Sequence, residues 1–188
     1  MTFAAAAFAA EIRVGIIGLD TSHVTAFTRL LNDPKEKEHV PGAKVVAAYK
    51  GGSQDIEASA SRVEGYAKEL REEFGVKMVA SIEELCQQVD AVLLESVDGR
   101  PHLEQARPVI KAGKPLFIDK PVAGSLRDAI ELFKLARESK VPVFTSSAYR
   151  FYESLVELKK TDVGEVRSVI SSRGRTLLRF TAMGHGPS

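Results

Sequence analysis

Cysteine is nearly absent. Cys86 stands alone among 188 residues, so no intrachain disulfide can form and the redox compartment is left open. No charge of one sign dominates. Twenty-six Lys and Arg face 25 Asp and Glu, a formal net charge of +1. So weak a field steers neither nucleic acid nor an anionic membrane to the chain. No apolar run approaches the roughly 20 residues that a membrane-spanning helix needs. No pair of His or Cys has metal-ligand spacing, so no structural metal is expected. There is no G-x-S-x-G elbow, no P-loop and no internal repeat.

What remains is ordinary globular composition, with 44% hydrophobic and 27% charged residues. Disordered, fibrous and disulfide-scaffold classes are thereby excluded. A chain of this length buries about 70% of its unfolded surface without covalent staples. Residues 1–10 are nearly all Ala and Phe and carry no charge, and Ala7-Phe8-Ala9 has the small-x-small form of a signal-peptidase site. A basic n-region is missing. Two readings stay open: a tail on a cytoplasmic protein, or the remnant of an export signal that places the protein in the periplasm.

Short apolar runs alternate with amphipathic stretches. Val14 to Leu19 reads as a buried strand, followed by Val24, Phe27 and Leu31 at helical spacing. Ala43 to Tyr49 is a second strand. Ile56, Ala60, Val63, Ala67, Leu70 and Phe74 predict one long helix that Gly75 ends. Lys77 to Ala80, Ala91 to Leu94, Leu116 to Ile118 and Val143 to Thr145 read as further strands. Ser81 and Glu84 form a capping box ahead of Ile82, Leu85 and Val89. Leu103, Ala106 and Ile110 mark a helix closed by Gly113. Ser125 caps a helix whose stripe is Leu126, Ile130, Phe133 and Ala136. Six alternations predict an α/β fold, a doubly wound parallel sheet of Rossmann type. Its ligands bind at the C-terminal edge of the strands. Near residue 150 the pattern changes. A short helix over Phe151 to Lys160, a turn at 161–164 and a strand over Glu165 to Ser172 predict the opening of a second, α+β domain. The expected division is 1–10 tail, 11–150 dinucleotide-binding domain and 151–188 incomplete second domain. The strand at 165–172 is expected to leave an unpaired edge.

The chemistry-bearing residues cluster at strand exits. Gly18-Leu19-Asp20-Thr21-Ser22-His23 stands where a G-x-G-x-x-G turn would bind pyrophosphate, but only Gly18 matches. Asp20 replaces the second glycine and His23 the third. Asp20 either lies beside the pyrophosphate or caps the helix. Thr21 and Ser22 offer hydroxyl and N–H donors to phosphate at a helix start. Lys50 stands where a ribose-binding carboxylate is usual, and with Ser53 it suits a 2′-phosphate, favouring NADP over NAD; a solvated lysine is the other reading. The fourth strand exits through Glu95-Ser96-Val97-Asp98, with His102 opening the next helix, either facing a ligand or satisfied within the fold. The fifth exits through Asp119-Lys120-Pro121. Lys120 is therefore placed at the functional edge, where its ammonium can act as proton donor or relay, with Asp119 to orient it. His39 lies in a charged loop and is expected to be solvated.

Together these segments resemble the Gfo/Idh/MocA family of NAD(P)-dependent sugar oxidoreductases. The resemblance rests on Val14-Gly15-Ile16-Ile17-Gly18, Val89-Asp90-Ala91-Val92, His102, Ala112-Gly113-Lys114-Pro115, Asp119-Lys120-Pro121, Arg150-Phe151 and Gly164-Glu165-Val166. It spans about residues 11 to 180, and the Lys-Pro stretch is its most specific part. It implies a Rossmann domain followed by an α/β domain built on an open sheet. It also implies hydride transfer between nicotinamide and a carbinol carbon of a sugar, cyclitol or related polyol. It makes Lys120 the lysine beside nicotinamide and substrate, with Asp119 in place of the family's glutamate. Ser96 and Val97 would line the dinucleotide, next to His102. Oligomers are implied for a full-length form. The family's second domain supplies a catalytic histidine, and His185 lies too early to be it. A non-catalytic module binding a sugar or a protein is the alternative, and a hydrolase or lyase with a resident dinucleotide is a third.

Overall fold

The computed structural model describes residues 10–162 and 164. The chain divides into two compact units, the first ending at Ser146.

Six parallel strands form the sheet of the first unit: β1 (Ile12–Ile17), β2 (Ala43–Tyr49), β3 (Lys77–Val79), β4 (Ala91–Leu94), β5 (Leu116–Asp119) and β6 (Val143–Ser146). Their order is β3-β2-β1-β4-β5-β6, so the chain reverses direction of travel across the sheet between β1 and β4. Registers Ile17↔Tyr49, Ile17↔Leu94, Leu94↔Ile118 and Asp119↔Ser146 bring the strand ends to one edge. Every β-to-α connection therefore emerges along that edge.

Helices cover both faces because the strands carry apolar side chains on both. On one face Ile17, Val92, Leu94, Leu116 and Ile118 pack with α4 (Ile82–Gln88), α5 (His102–Lys111) and α6 (Leu126–Glu138). On the other, Val14, Ile16, Val45 and Ala48 pack with α1 (His23–Asn32) and α3 (Val63–Phe74). Each fully buried Leu or Ile contributes roughly 1.5–3 kcal/mol of transfer free energy. Arg13 fastens the start of β1 to Asp90 ahead of β4 through bonds of 2.7 and 3.0 Å.

Several local expectations change. The predicted long helix over 56–74 is two helices, α2 (Glu57–Ala60) and α3, parted at Ser61 and Arg62. Val63, Ala67 and Leu70 keep the predicted inward stripe, while Ser59 is turned inward to polar partners. The Ser81 hydroxyl accepts from the Glu84 N–H, as a capping box requires, but the Glu84 carboxylate reaches back to the Ala80 N–H. The α6 stripe is the larger correction. Leu126, Ile130 and Phe133 face solvent, whereas Leu132 and Ala136 are buried. Two apolar rows run along this helix, and helical period alone does not say which one the sheet takes. His39 is half-buried rather than solvated, its ring Nδ1 2.9 Å from the Leu30 carbonyl.

In the second unit the expected helix over 151–160 is a 3-10 turn (Ala148–Phe151) followed by α7 (Glu153–Leu158). The turn at 161–164 holds a bond from the Gly164 N–H to Asp162. The strand expected over 165–172, His185 and the segment Ala7-Phe8-Ala9 lie outside the described residues. Among the described residues no helix is long and apolar enough to cross a membrane.

Candidate functional site

A doubly wound sheet takes its ligands at the reversal point of strand order, here between β1 and β4, in a crevice bounded by the exits of β1, β2, β4 and β5. The β1 exit starts with Gly18 at φ +87°, a left-handed conformation that glycine adopts without strain. Its N–H donates to the Tyr49 carbonyl and the Leu19 N–H to the Lys50 carbonyl, joining the β1 and β2 exits.

Asp20 is neither an N-cap nor an exposed charge. It is fully buried. One carboxylate oxygen accepts from the Ser59 hydroxyl at 2.6 Å and the other from the Val97 N–H at 3.1 Å. The α1 cap position belongs to Ser22, which makes no side-chain cap bond. Asp20 thus ties the β1 exit to α2 and to the β4 exit, and turns its charge inward. Thr21 is buried and its hydroxyl accepts from the His23 N–H, while Ser22 is exposed at the start of the ten-residue α1.

At the β4 exit, Ser96 is buried and donates from its hydroxyl to Gln105; Val97 is 40% exposed. His102 is fully buried. Its Nε2 lies 2.8 Å from the Ser96 carbonyl, which can only accept, so that nitrogen carries the proton. Its Nδ1 lies 3.4 Å from the Val122 carbonyl. A neutral ring cannot donate to both carbonyls, so its bond is to Ser96, and the ring is enclosed between the β4 and β5 exits.

The β5 exit converges with the β1 exit. The His23 Nδ1–H donates to Asp119 Oδ2 at 2.7 Å, and Lys120 Nζ approaches the same oxygen at 3.4 Å. Asp119 is nearly buried, while the Lys120 side chain is more than half exposed. His23 also packs on Phe27, ring centroids 5.9 Å apart.

Lys50 and Ser53 are both engaged. The Lys50 ammonium pairs with Glu64 at 2.7 Å, and the Ser53 hydroxyl donates to Asp98 at 2.7 Å. The pair is exposed, and such pairs contribute only about 0–1 kcal/mol, so an incoming dianion can displace Glu64.

Two groups here escape local sequence patterns. Glu95 is fully buried beside the β4 exit with no hydrogen-bond partner for either oxygen. Burial, then the nearby Asp119 charge, push its carboxyl up to about 8 against the pull of Lys120. The visible signal was a carboxylate directly after a buried strand. Asp98 is the second, joined by Arg100, which also bridges to Asp55 at 2.8 Å. The Arg100 guanidinium holds the Asp98 carboxyl well below the usual carboxylate range; burial opposes this and Ser53 reinforces it. A depressed folded-state value stabilises the protein above the unfolded value near 4, and that stability is lost as pH falls. Asp98→Asn is accordingly expected to flatten the acid limb of a stability-against-pH curve below about pH 4. Equal acid limbs in thermal melts of the two proteins would contradict this.

A parallel sheet in this order, with its crevice at the reversal point and a helix start beside it, defines a dinucleotide-binding domain of the Rossmann class. A family model described as "Oxidoreductase family, NAD-binding Rossmann fold" matches residues 12–147. The chain belongs to this family, Gfo/Idh/MocA. It is 39% identical over 98 residues to 1,5-anhydro-D-fructose reductase of Ensifer adhaerens, covering 50% of this chain and 28% of that one. It is 31% identical over 125 residues to inositol 2-dehydrogenase 3 of Saccharopolyspora erythraea, covering 64% and 31%. The solved myo-inositol 2-dehydrogenase of Lactobacillus plantarum superposes with a TM-score of 0.60 at 21% identity, covering 85% of this chain and 43% of that one. The chain thus spans less than half the length of these relatives.

Proposed function

We propose that this chain provides the nicotinamide dinucleotide site of an oxidoreductase acting on a sugar, cyclitol or related polyol. The carrying observation is the 2.7 Å contact between His23 and Asp119, which brings the β1 exit and the Asp119-Lys120 exit to one crevice. The residues present suit the cofactor. Gly18 permits the turn, α1 begins directly after the β1 exit, and both oxygens of Asp20 are occupied by Ser59 and Val97. Gly18, Thr21, Ser22 and His23 would hold the pyrophosphate side, with Ser96 and Val97 along the dinucleotide. When bound, the nicotinamide supplies or accepts the hydride. Lys120 holds a proton at Nζ for the carbinol oxygen, and Asp119, 3.4 Å away, orients the lysine. His102 acts on this site only through its bond to the Ser96 carbonyl.

The proposal favours NADP over NAD, because Lys50 and Ser53 stand where a ribose-binding carboxylate would repel a 2′-phosphate. Titration by quenching of nucleotide fluorescence should show tighter binding of NADPH than of NADH. Lys50→Ala should bring the two affinities within about twofold while leaving stability within about 0.5 kcal/mol, since its partner Glu64 is exposed. An unchanged NADPH preference in this variant would remove the basis for NADP. No binding of either nucleotide at millimolar concentration would overturn the site. The second reading, a non-catalytic binding module, is favoured by one observation: Asp20 occupies the second glycine position of the turn. Under it the crevice takes a sugar or protein and no dinucleotide.

A further inference from the structure

We propose that His23, Glu95 and Asp119 form a binding site for a divalent cation that accepts mixed nitrogen and oxygen ligands, of the zinc, manganese or ferrous class. The three come from separate elements: His23 opens α1, Glu95 follows β4 and Asp119 ends β5. One ligand atom from each lies within 4.8 Å of the other two. Two donors on one ion, each at 2.0–2.2 Å, sit roughly 3–3.5 Å apart. His23 Nδ1 and Asp119 Oδ2, at 2.7 Å, must part slightly, and the ring must take the tautomer with its proton on Nε2, which frees the Nδ1 lone pair for the ion. Glu95 has then to move its carboxylate by roughly 1 Å to reach the same ion.

Glu95 is the independent observation. It is fully buried, and neither oxygen has a hydrogen-bond partner. Protonation would remove the buried charge but still leave the O–H and the second oxygen without partners. A cation satisfies the carboxylate and offsets its repulsion with Asp119. Two carboxylates and a neutral imidazole balance a divalent charge and leave coordination open, as in reactive rather than purely structural metal sites. The His23 side chain is 37% exposed against 7% for Asp119, so access is from the His23 side. The imidazole argues against calcium and magnesium, which take oxygen ligands. Lys120, 3.4 Å from Asp119 and 55% exposed, is free to swing towards solvent as the ion enters. Residues 23, 95 and 119 are too widely separated for any local spacing to reveal, which is why the sequence led to an expectation of no metal.

The site stands on side-chain geometry and not on the hydride-transfer proposal. The test is titration of the metal-free chain with manganese, followed by electron paramagnetic resonance of the free ion, and with zinc by calorimetry. One ion per chain is expected. Glu95→Gln and His23→Gln should each weaken binding at least tenfold, and His39→Gln, in a different loop, should not. His23 is partly exposed, so His23→Gln remains readable if Glu95→Gln does not fold. Absence of manganese binding at millimolar concentration, or equal affinity in wild type and His23→Gln, would overturn the site; a water held by Glu95 would give that same result. NADPH titration of the metal-free protein separates the two proposals. Nucleotide binding without metal affinity sinks only the cation site, and metal affinity without nucleotide binding sinks only the dinucleotide site.

Discussion

Gly18→Ala is expected to cost at least about 3 kcal/mol of stability, enough to leave a marginal domain largely unfolded. Two effects add. At φ +87° a side chain is strained wherever it is placed. A Cβ there would also lie 2.6 Å from the Ser96 Cα, and backbone cannot yield as a flexible side chain can. Relief requires the β1 and β4 exits to separate, which breaks the crevice as well. Gly65→Ala is the matched control. Gly65 lies exposed in α3 with nothing within 4 Å of a Cβ, so alanine should stabilise by about 0.5–1 kcal/mol through helix propensity. Urea denaturation measures both, and a loss below about 1 kcal/mol for Gly18→Ala would show that the loop can rearrange cheaply.

Asp20→Gly should also destabilise, by about 3 kcal/mol. The substitution removes two hydrogen bonds to a carboxylate acceptor, leaving the buried Ser59 hydroxyl without it and releasing the part-buried Val97 N–H. It restores the glycine of the usual pyrophosphate turn, yet no gain in NADPH affinity is expected. Both Asp20 oxygens are already engaged, by Ser59 and Val97, and their loss unties the β4 exit from the β1 exit. A several-fold loss of affinity is the expected outcome by fluorescence titration. A tenfold gain would mean that Asp20 excludes the dinucleotide, and the binding-module reading would then stand in front.

The sheet was legible because each strand carries its own signature. Ile16 and Ile17, Val45 to Ala48 and Leu116 to Ile118 are buried runs that need helices on two faces. Ser81 and Ser125 are caps whose partners lie three residues away, so sequence distance and spatial distance coincide. Asp20 shows where that coincidence ends. Its partners are Ser59 and Val97, and neither of the two local readings, cap or pyrophosphate neighbour, includes them. The stripe of α6 departs from expectation for a related reason at all but Ala136, which is buried as expected. Leu126, Ile130 and Phe133 satisfy helical period as well as Leu132 and Ala136 do, and only the position of the sheet selects the buried row.

Sequence by itself determined the alternating α/β plan, the parallel sheet, the placing of Lys120 at the strand edge and the need for glycine at position 18. These follow from backbone sterics and from periods of a few residues, which any short window contains. Tertiary structure alone decided that His23, Glu95 and Asp119 meet, that His102 is enclosed between the β4 and β5 exits and that Asp20 points inward. Such contacts exist only once the strands have taken the order β3-β2-β1-β4-β5-β6. Hydrophobic period sets which face an element buries, but it carries no information about which strand exits become neighbours.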